Sequence, residues 1–99
     1  MASTPEAKVK ARVVARLKAD GAYYFYPMSY GMGRSGVPDI ICCFGGRFLA
    51  IECKAGKNKP TQLQQHEIAR IRAAGGIALV INETNMADLE AALQELQNV

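Results

Sequence analysis

The dipeptide Gly45-Gly46 separates two runs rich in β-branched, aromatic and sulfur-bearing residues, Val37-Pro38-Asp39-Ile40-Ile41-Cys42-Cys43-Phe44 and Arg47-Phe48-Leu49-Ala50-Ile51-Glu52-Cys53-Lys54. A two-residue glycine break between such runs signals a tight β-hairpin, because the favoured turn requires positive φ at its central positions. With Phe44 paired to Arg47, each step back along one strand matches a step forward along the other. Ile40 then faces Ile51, and Asp39 faces Glu52. Directly opposed side chains share a sheet face, with Cβ atoms about 4.5–5.5 Å apart. Lys54 joins the same face, since the strand period is two.

Two like charges held opposite each other are destabilising unless a cation lies between them. Ile40, Ile41, Phe48 and Ile51 surround the pair with apolar surface, which offers little relief. A divalent ion would provide it, and hard Mg²⁺ favours carboxylate oxygens plus water. Lys54 beside the pair is suited to holding a water or a developing anion. The three residues together have the makings of a metal-dependent hydrolase site. The plainer alternative is a surface Asp–Lys–Glu cluster at a strand end.

Ninety-nine residues, 49% of them hydrophobic, are enough for one core, and a single domain over 1–99 is expected. No apolar run is long enough to span a bilayer, and Met1 to Lys10 lacks the apolar stretch of a signal peptide, so a cytoplasmic protein is expected, with no membrane partner. Cys42, Cys43 and Cys53 are too few for a four-cysteine zinc site and read as reduced, buried, small hydrophobes. The net charge of +3 hides a division: residues 1–72 hold all twelve bases against five acids, whereas residues 73–99 hold four acids and no base. A basic face suits a polyanion, and beside a carboxylate pair the favoured one is a phosphodiester backbone. An ordinary solvated surface is the competing account of the charges alone.

Along the chain, Ser3-Thr4-Pro5-Glu6 opens a helix, either by a Ser3–Glu6 capping box or with Thr4 as cap and Pro5 first in the helix. Val9, Val13, Val14 and Leu17 form its apolar stripe, and Gly21 ends it. Ala22 to Met28 reads as an aromatic strand, with Pro27 near its end. The hairpin follows, then a basic loop over Gly56–Pro60. Thr61 caps a helix running to Ala74 with Leu63, Ile68 and Ile71 inward, and Gly75-Gly76 stops it. Ile77 to Ile81 is a short buried strand, and Asn85 caps a last helix with Met86, Leu89, Leu93 and Leu96 on one side. The order α-β-β-β-α-β-α predicts an α/β fold. Its sheet is mixed, antiparallel through the hairpin and parallel across the second helix, and helices flank both faces.

Gly31-Met32-Gly33-Arg34-Ser35-Gly36 matches G-x-G-x-x-G, but the dinucleotide fingerprint must open a helix and here a strand follows. No nucleotide cofactor is therefore expected, and Arg34 and Ser35 are left free to touch phosphate. His66 falls mid-helix, where a solvent or supporting role outweighs catalysis. The cluster Tyr23, Tyr24, Phe25 and Tyr26 reads mostly as core, with an outward tyrosine able to stack on a base. Lys57 and Lys59 suit a backbone clamp or a plain solvated loop.

Pro38-Asp39 with Glu52-Cys53-Lys54 resembles the motif of the PD-(D/E)XK nuclease superfamily, and the element order is similar to its restriction-endonuclease-like αβββαβ core, here with an added C-terminal helix. Within that superfamily, Glu6, Gly36-Val37-Pro38-Asp39 and Thr61 to Gln64 with Gly75 eleven residues later resemble the VRR-NUC domain, over essentially the whole chain. The resemblance implies a Mg²⁺- or Mn²⁺-dependent DNA endonuclease leaving 5′-phosphate and 3′-hydroxyl ends. It assigns Asp39, Glu52 and the Cys53 carbonyl to metal. Glu6 is assigned to a water of the metal or a second ion, Lys54 to orienting the attacking water, and Gln64 to supporting the site.

The chain is similar to the stand-alone phage type, which resembles homodimeric Holliday-junction resolvases, acting in the cytoplasm of a bacterium or infected host cell. A two-fold dimer matches a four-way junction, and either the aromatic strand Ala22–Tyr26 or the last helix could form its interface. Lys8, Arg12, Arg34, Ser35, Lys57 and Lys59 are expected to hold the backbone without reading bases, giving structure-selective cleavage. A catalytically silent DNA-binding module and a sequence-specific restriction-type endonuclease are the alternatives.

Overall fold

The computed structural model of the protein describes residues 4–28 and 35–97. Helix α1 (Pro5–Asp20) begins where the Thr4 hydroxyl accepts the Ala7 N–H at 3.0 Å, with Pro5 at its start, and ends at Gly21 in the left-handed region. Of the two caps open to the sequence, Thr4 is the one formed; Ser3 lies outside the described residues. Strands β1 (Tyr23–Phe25), β2 (Ile40–Phe44) and β3 (Arg47–Cys53), helix α2 (Gln62–Ala73), strand β4 (Ile77–Ile81) and helix α3 (Met86–Gln97) follow.

The strands lie side by side in chain order, β1, β2 and β3 antiparallel and β4 parallel to β3 across the α2 connection. Gly45 and Gly46 carry φ of 62° and 75°, as a two-residue hairpin turn demands, and the register runs from Phe44↔Arg47 to Ile40↔Ile51. A side chain at Gly45 would also meet the Leu96 carbonyl oxygen at 2.7 Å, so the end of α3 lies directly on the turn.

The register divides the sheet into two faces. Ile40, Cys42, Leu49, Ile51, Cys53 and Ile81 line one of them and join Val9, Val13, Leu17, Leu89 and Leu93 in the main core. Burying each of these aliphatic side chains stabilises the fold by about 1.5–3 kcal/mol. The other face receives α2, which lies against β4 and buries Ile68. Helices flank both faces, as the apolar strands require, and the fold is α/β.

Several local expectations change. The aromatic cluster, expected mostly as core, has Tyr23, Phe25 and Tyr26 exposed. β1 is three residues rather than seven, because Pro27 has no N–H for a ladder and restricts Tyr26 before it. Pro38 likewise delays β2 to Ile40 and leaves Asp39 in a bend just before the ladder. Leu63 points outward on the first turn of α2, and the buried Ile68 with the half-buried Ile71 supplies the inward contact. Asn85 does not cap α3 with its side chain. Its Oδ1 accepts the Asn82 N–H at 2.7 Å and its Nδ2 donates to the Val80 carbonyl at 2.8 Å, closing the β4–α3 turn.

Candidate active site

Asp39 and Glu52 come together at the end of β2 and β3 away from the hairpin turn. Asp39 directly precedes the Ile40↔Ile51 pair, and its Oδ2 accepts the Cys53 N–H at 2.8 Å. That bond locks the carboxylate of one strand to the backbone of the other. Glu52 is 2% exposed, and its Oε2 accepts from Gln64 Nε2 at 2.9 Å and faces Lys54 Nζ at 3.3 Å. Its other oxygen, Oε1, is the only buried side-chain polar atom without a hydrogen-bond partner among the described residues. Such an atom costs about 1–3 kcal/mol and calls for an explanation.

The electrostatics follow from this enclosure. Burial, then the Asp39 charge, pushes the Glu52 carboxyl up to about 7, with Lys54 opposing and Glu6 adding to the rise. Burial, followed by the same two carboxylates, pushes the Cys53 thiol up to about 12, and burial raises Cys42 to about 11. Cys42 and Cys53 are buried thiols as expected; Cys43 is exposed, on the sheet face opposite to that of Cys42. High pKa values leave the two buried thiols poor nucleophiles.

Gln64 is held from both ends. Its Oε1 accepts the Thr61 N–H at 2.9 Å while its backbone N–H donates to the Thr61 hydroxyl, a reciprocal capping box, and its Nε2 is thereby aimed at Glu52. Thr61 and Gln64 show this capping pattern in the sequence, and it was the available sign that the amide is fixed. The loop carrying Asp39 is pressed against the same helix. Gly36 has φ +80°, and a Cβ there would lie 2.6 Å from the Leu63 carbonyl carbon and oxygen. The final glycine of the G-x-G-x-x-G match thus serves close backbone approach, and Arg34 and the rest of the match before Ser35 lie outside the described residues.

Glu6 is half-buried in the first turn of α1, near enough for its charge to act on Glu52 and Cys53. No three His, Cys, Asp or Glu side chains converge as a metal-binding group among the described residues, so Glu6 is not drawn into a three-carboxylate cluster. Lys8 and Arg12 are exposed on α1 and line a depression with Pro5, Val9 and Glu83. Lys57 and Lys59 are exposed in the β3–α2 loop, Ser35 is exposed in a turn, and His66 is exposed on α2.

Two residues escaped the sequence reading. Both oxygens of Glu83 accept the Gly56 N–H, at 2.9 and 3.1 Å, tying the lysine loop to the turn before α3. Lys10 stands 4.3 Å over the Tyr26 ring, and its charge is felt at Cys53. The first contact spans 27 positions, beyond any local pattern; the second pairs α1 with the segment after β1.

The family pattern described as archaeal Holliday junction resolvase (Hjc) matches residues 8–94. The chain belongs to the Hjc family. This Hjc-family protein is also 36% identical over 62 residues to "Putative nuclease p44" of Acyrthosiphon pisum secondary endosymbiont phage 1, covering 62% of this chain and 67% of that one. A solved structure described as a VRR_NUC domain superposes with a TM-score of 0.73 at 26% identity, covering 87% of this chain and 92% of the other. The domain is a VRR-NUC nuclease domain with the corresponding fold. No helix among the described residues is long and apolar enough to cross a membrane.

Proposed function

We propose that this Hjc-family protein is a Mg²⁺- or Mn²⁺-dependent, structure-selective DNA endonuclease that resolves Holliday junctions as a homodimer, leaving 5′-phosphate and 3′-hydroxyl ends. The observation that carries the reading is the partnerless Glu52 Oε1, buried beside Asp39 in a pocket that pushes its proton affinity up. An oxygen donor enclosed next to a second carboxylate fits a hard divalent cation, which prefers an all-oxygen set completed by water. When bound, such an ion supplies Lewis-acid polarisation of a phosphoryl oxygen and lowers the pKa of water.

Asp39 and Glu52, with the Cys53 carbonyl, would hold the ion. The Cys53 N–H bond to Asp39 and the Gln64 amide on Glu52 keep both carboxylates oriented before substrate arrives. Lys54, tethered at 3.3 Å to Glu52, positions the attacking water and offsets negative charge developing on the phosphate. Glu6 adds acid charge on the α1 side, where it orders water. Lys8, Arg12, Lys57 and Lys59, with Arg34 and Ser35, hold phosphates without reading bases.

The test is a cleavage assay on four-way junction, flap and linear duplex DNA, each with Mg²⁺ and with EDTA. Junction cleavage that needs Mg²⁺ and disappears in Asp39→Ala and Lys54→Ala, with fold and DNA binding retained, is the expected result. Equal cutting by either variant at saturating Mg²⁺ refutes the assignment. Defined cut sites on linear duplex would instead indicate sequence-specific cleavage.

A further inference from the structure

The geometry points to Lys10 as a further DNA ligand: its ammonium, held by the Tyr26 ring on the α1 side of the strand ends, binds a backbone phosphate next to the one that lies on Asp39 and Glu52. The inference rests on the DNA-endonuclease reading above for the nature of the anion, and adds to it a residue and a contact. Lys10 is half-buried one turn after Glu6 on α1, beside the buried Val9, whereas Lys8 and Arg12 are exposed. Its Nζ stands 4.3 Å over the Tyr26 ring.

Register fixes where that ring is. Tyr24 pairs with Cys42 and Phe25 with Ile41, so Tyr26 comes level with Ile40, one residue from Asp39. Cys42 lines the main core and Tyr24 packs against it, on the sheet face that α1 covers. Tyr26 is on the same side, its ring 6.1 Å from that of Tyr24 and tilted at 59°. The inner tyrosine thus braces the outer one, and the outer one orients Lys10. A ring face attracts an ammonium but leaves its charge and its N–H donors available. Between described residues the ion pairs are Arg16–Asp20, Arg16–Glu90 and Lys54–Glu52, so Lys10 faces a ring and not a carboxylate.

The surrounding charges select the ligand. The Lys10 charge acts on Cys53 together with those of Asp39, Glu52 and Glu6, whereas the charges acting on Glu52 are those of Asp39, Lys54 and Glu6. Lys10 is therefore close to the site yet offset from the Glu52 carboxylate, where Lys54 is the cation. With a divalent ion in place, that ion and Lys54 balance the three carboxylates of Glu6, Asp39 and Glu52. Lys10 then leaves one positive charge over, and a phosphodiester carries one negative charge. The backbone repeats that charge at every nucleotide, so a strand laid across the carboxylates presents a neighbouring phosphate beside them. The offset assigns Lys10 to that neighbour, and Lys54 to the phosphate over the carboxylates.

The test is DNA binding by fluorescence anisotropy in EDTA, on four-way junctions in which a neutral methylphosphonate replaces one phosphate at a time around the crossover. At one position the wild type should lose about tenfold in affinity, the worth of a charge-assisted hydrogen bond. Lys10→Met, weakened about tenfold on unmodified DNA, should lose nothing further at that position, and its salt slope should fall by about 0.9. Lys10→Gln repeats the measurement if circular dichroism shows that Lys10→Met fails to fold. Lys10→Arg and Tyr26→Phe, which keep the cation and the ring, should keep the wild-type pattern, whereas Tyr26→Leu should lose most of it with Lys10 still present. A merely structural Lys10 would leave the methylphosphonate losses intact in the variant. Losses that add at every position overturn the inference, as does a wild-type pattern in Tyr26→Leu or a responsive phosphate remote from the cut. The scan needs no cleavage, so the two readings fail separately. Additive losses in a protein that cuts with Mg²⁺ sink the Lys10 contact alone; a non-additive position in a protein that never cuts sinks the nuclease reading alone.

Discussion

Burial and the adjacent Asp39 charge both disfavour ionised Glu52, so its carboxyl keeps its proton up to a pH of about 7 instead of the ordinary 4.5. The unfolded chain releases that proton near 4.5. Between these values the folded state binds the extra proton, and stability falls as pH rises. Without divalent ions the loss between pH 4.5 and 7 from this group is on the order of 2–4 kcal/mol. Cys42 and Cys53 titrate from 9.0 upward and do not enter the window. Denaturation in EDTA should therefore give a lower melting temperature at pH 7.5 than at pH 5, and Glu52→Gln should flatten most of that slope. Added Mg²⁺, which requires the ionised carboxylate, should stabilise the wild type more at pH 7.5 than at pH 5. An unchanged slope in Glu52→Gln would show that the pH dependence arises elsewhere.

At the scale of elements, the site depends on α2 lying against the loop that leads into β2, and Gly36 is where the two backbones meet. Gly36→Ala adds a Cβ 2.6 Å from the Leu63 carbonyl at φ +80°, which backbone movement must relieve. Gly46→Ala at φ +75° meets nothing within 4 Å and should cost only the left-handed strain, roughly 1–2 kcal/mol. The Gly36 variant should lose clearly more in denaturant titration, and Mg²⁺-dependent cleavage should fall because Asp39 shifts relative to Gln64. Equal losses in the two variants would remove Gly36 from this role. These two glycines also mark what was legible beforehand. A two-glycine turn fixes strand pairing through local chirality, so the register down to Ile40↔Ile51, which brings Asp39 close to Glu52, was legible from the residue string alone. Gly36 has no room for a side chain because of a helix far along the chain, and Glu83 grips Gly56 across 27 positions. Local patterns carry turns, caps and periodicity, and are silent on such contacts.

Across the whole molecule, the Glu83–Gly56 bond joins two groups of cations that are distant in sequence. Glu83 lines the depression holding Lys8 and Arg12 and at the same time anchors the loop carrying Lys57 and Lys59, which directly follows Lys54. Cations from α1 and from the β3–α2 loop are thus gathered towards the strand ends that carry Asp39 and Glu52. Of the acids of α3, Glu90 is bridged to Arg16 of α1 at 3.3 Å. A +7 segment over residues 1–72 arranged this way should bind DNA mainly through counterion release, with log K falling linearly in log salt. Each phosphate contact contributes about 0.9 to that slope in duplex DNA. Lys8→Ala with Arg12→Ala should lower the slope by about 2 and weaken junctions and linear duplexes to a similar degree, since neither residue reads a base. Fluorescence anisotropy between 50 and 200 mM salt measures both quantities in EDTA, where cleavage does not interfere. A slope unchanged by the double substitution would mean that α1 does not touch the backbone, leaving the β3–α2 loop and the residues before Gly36 to carry the DNA.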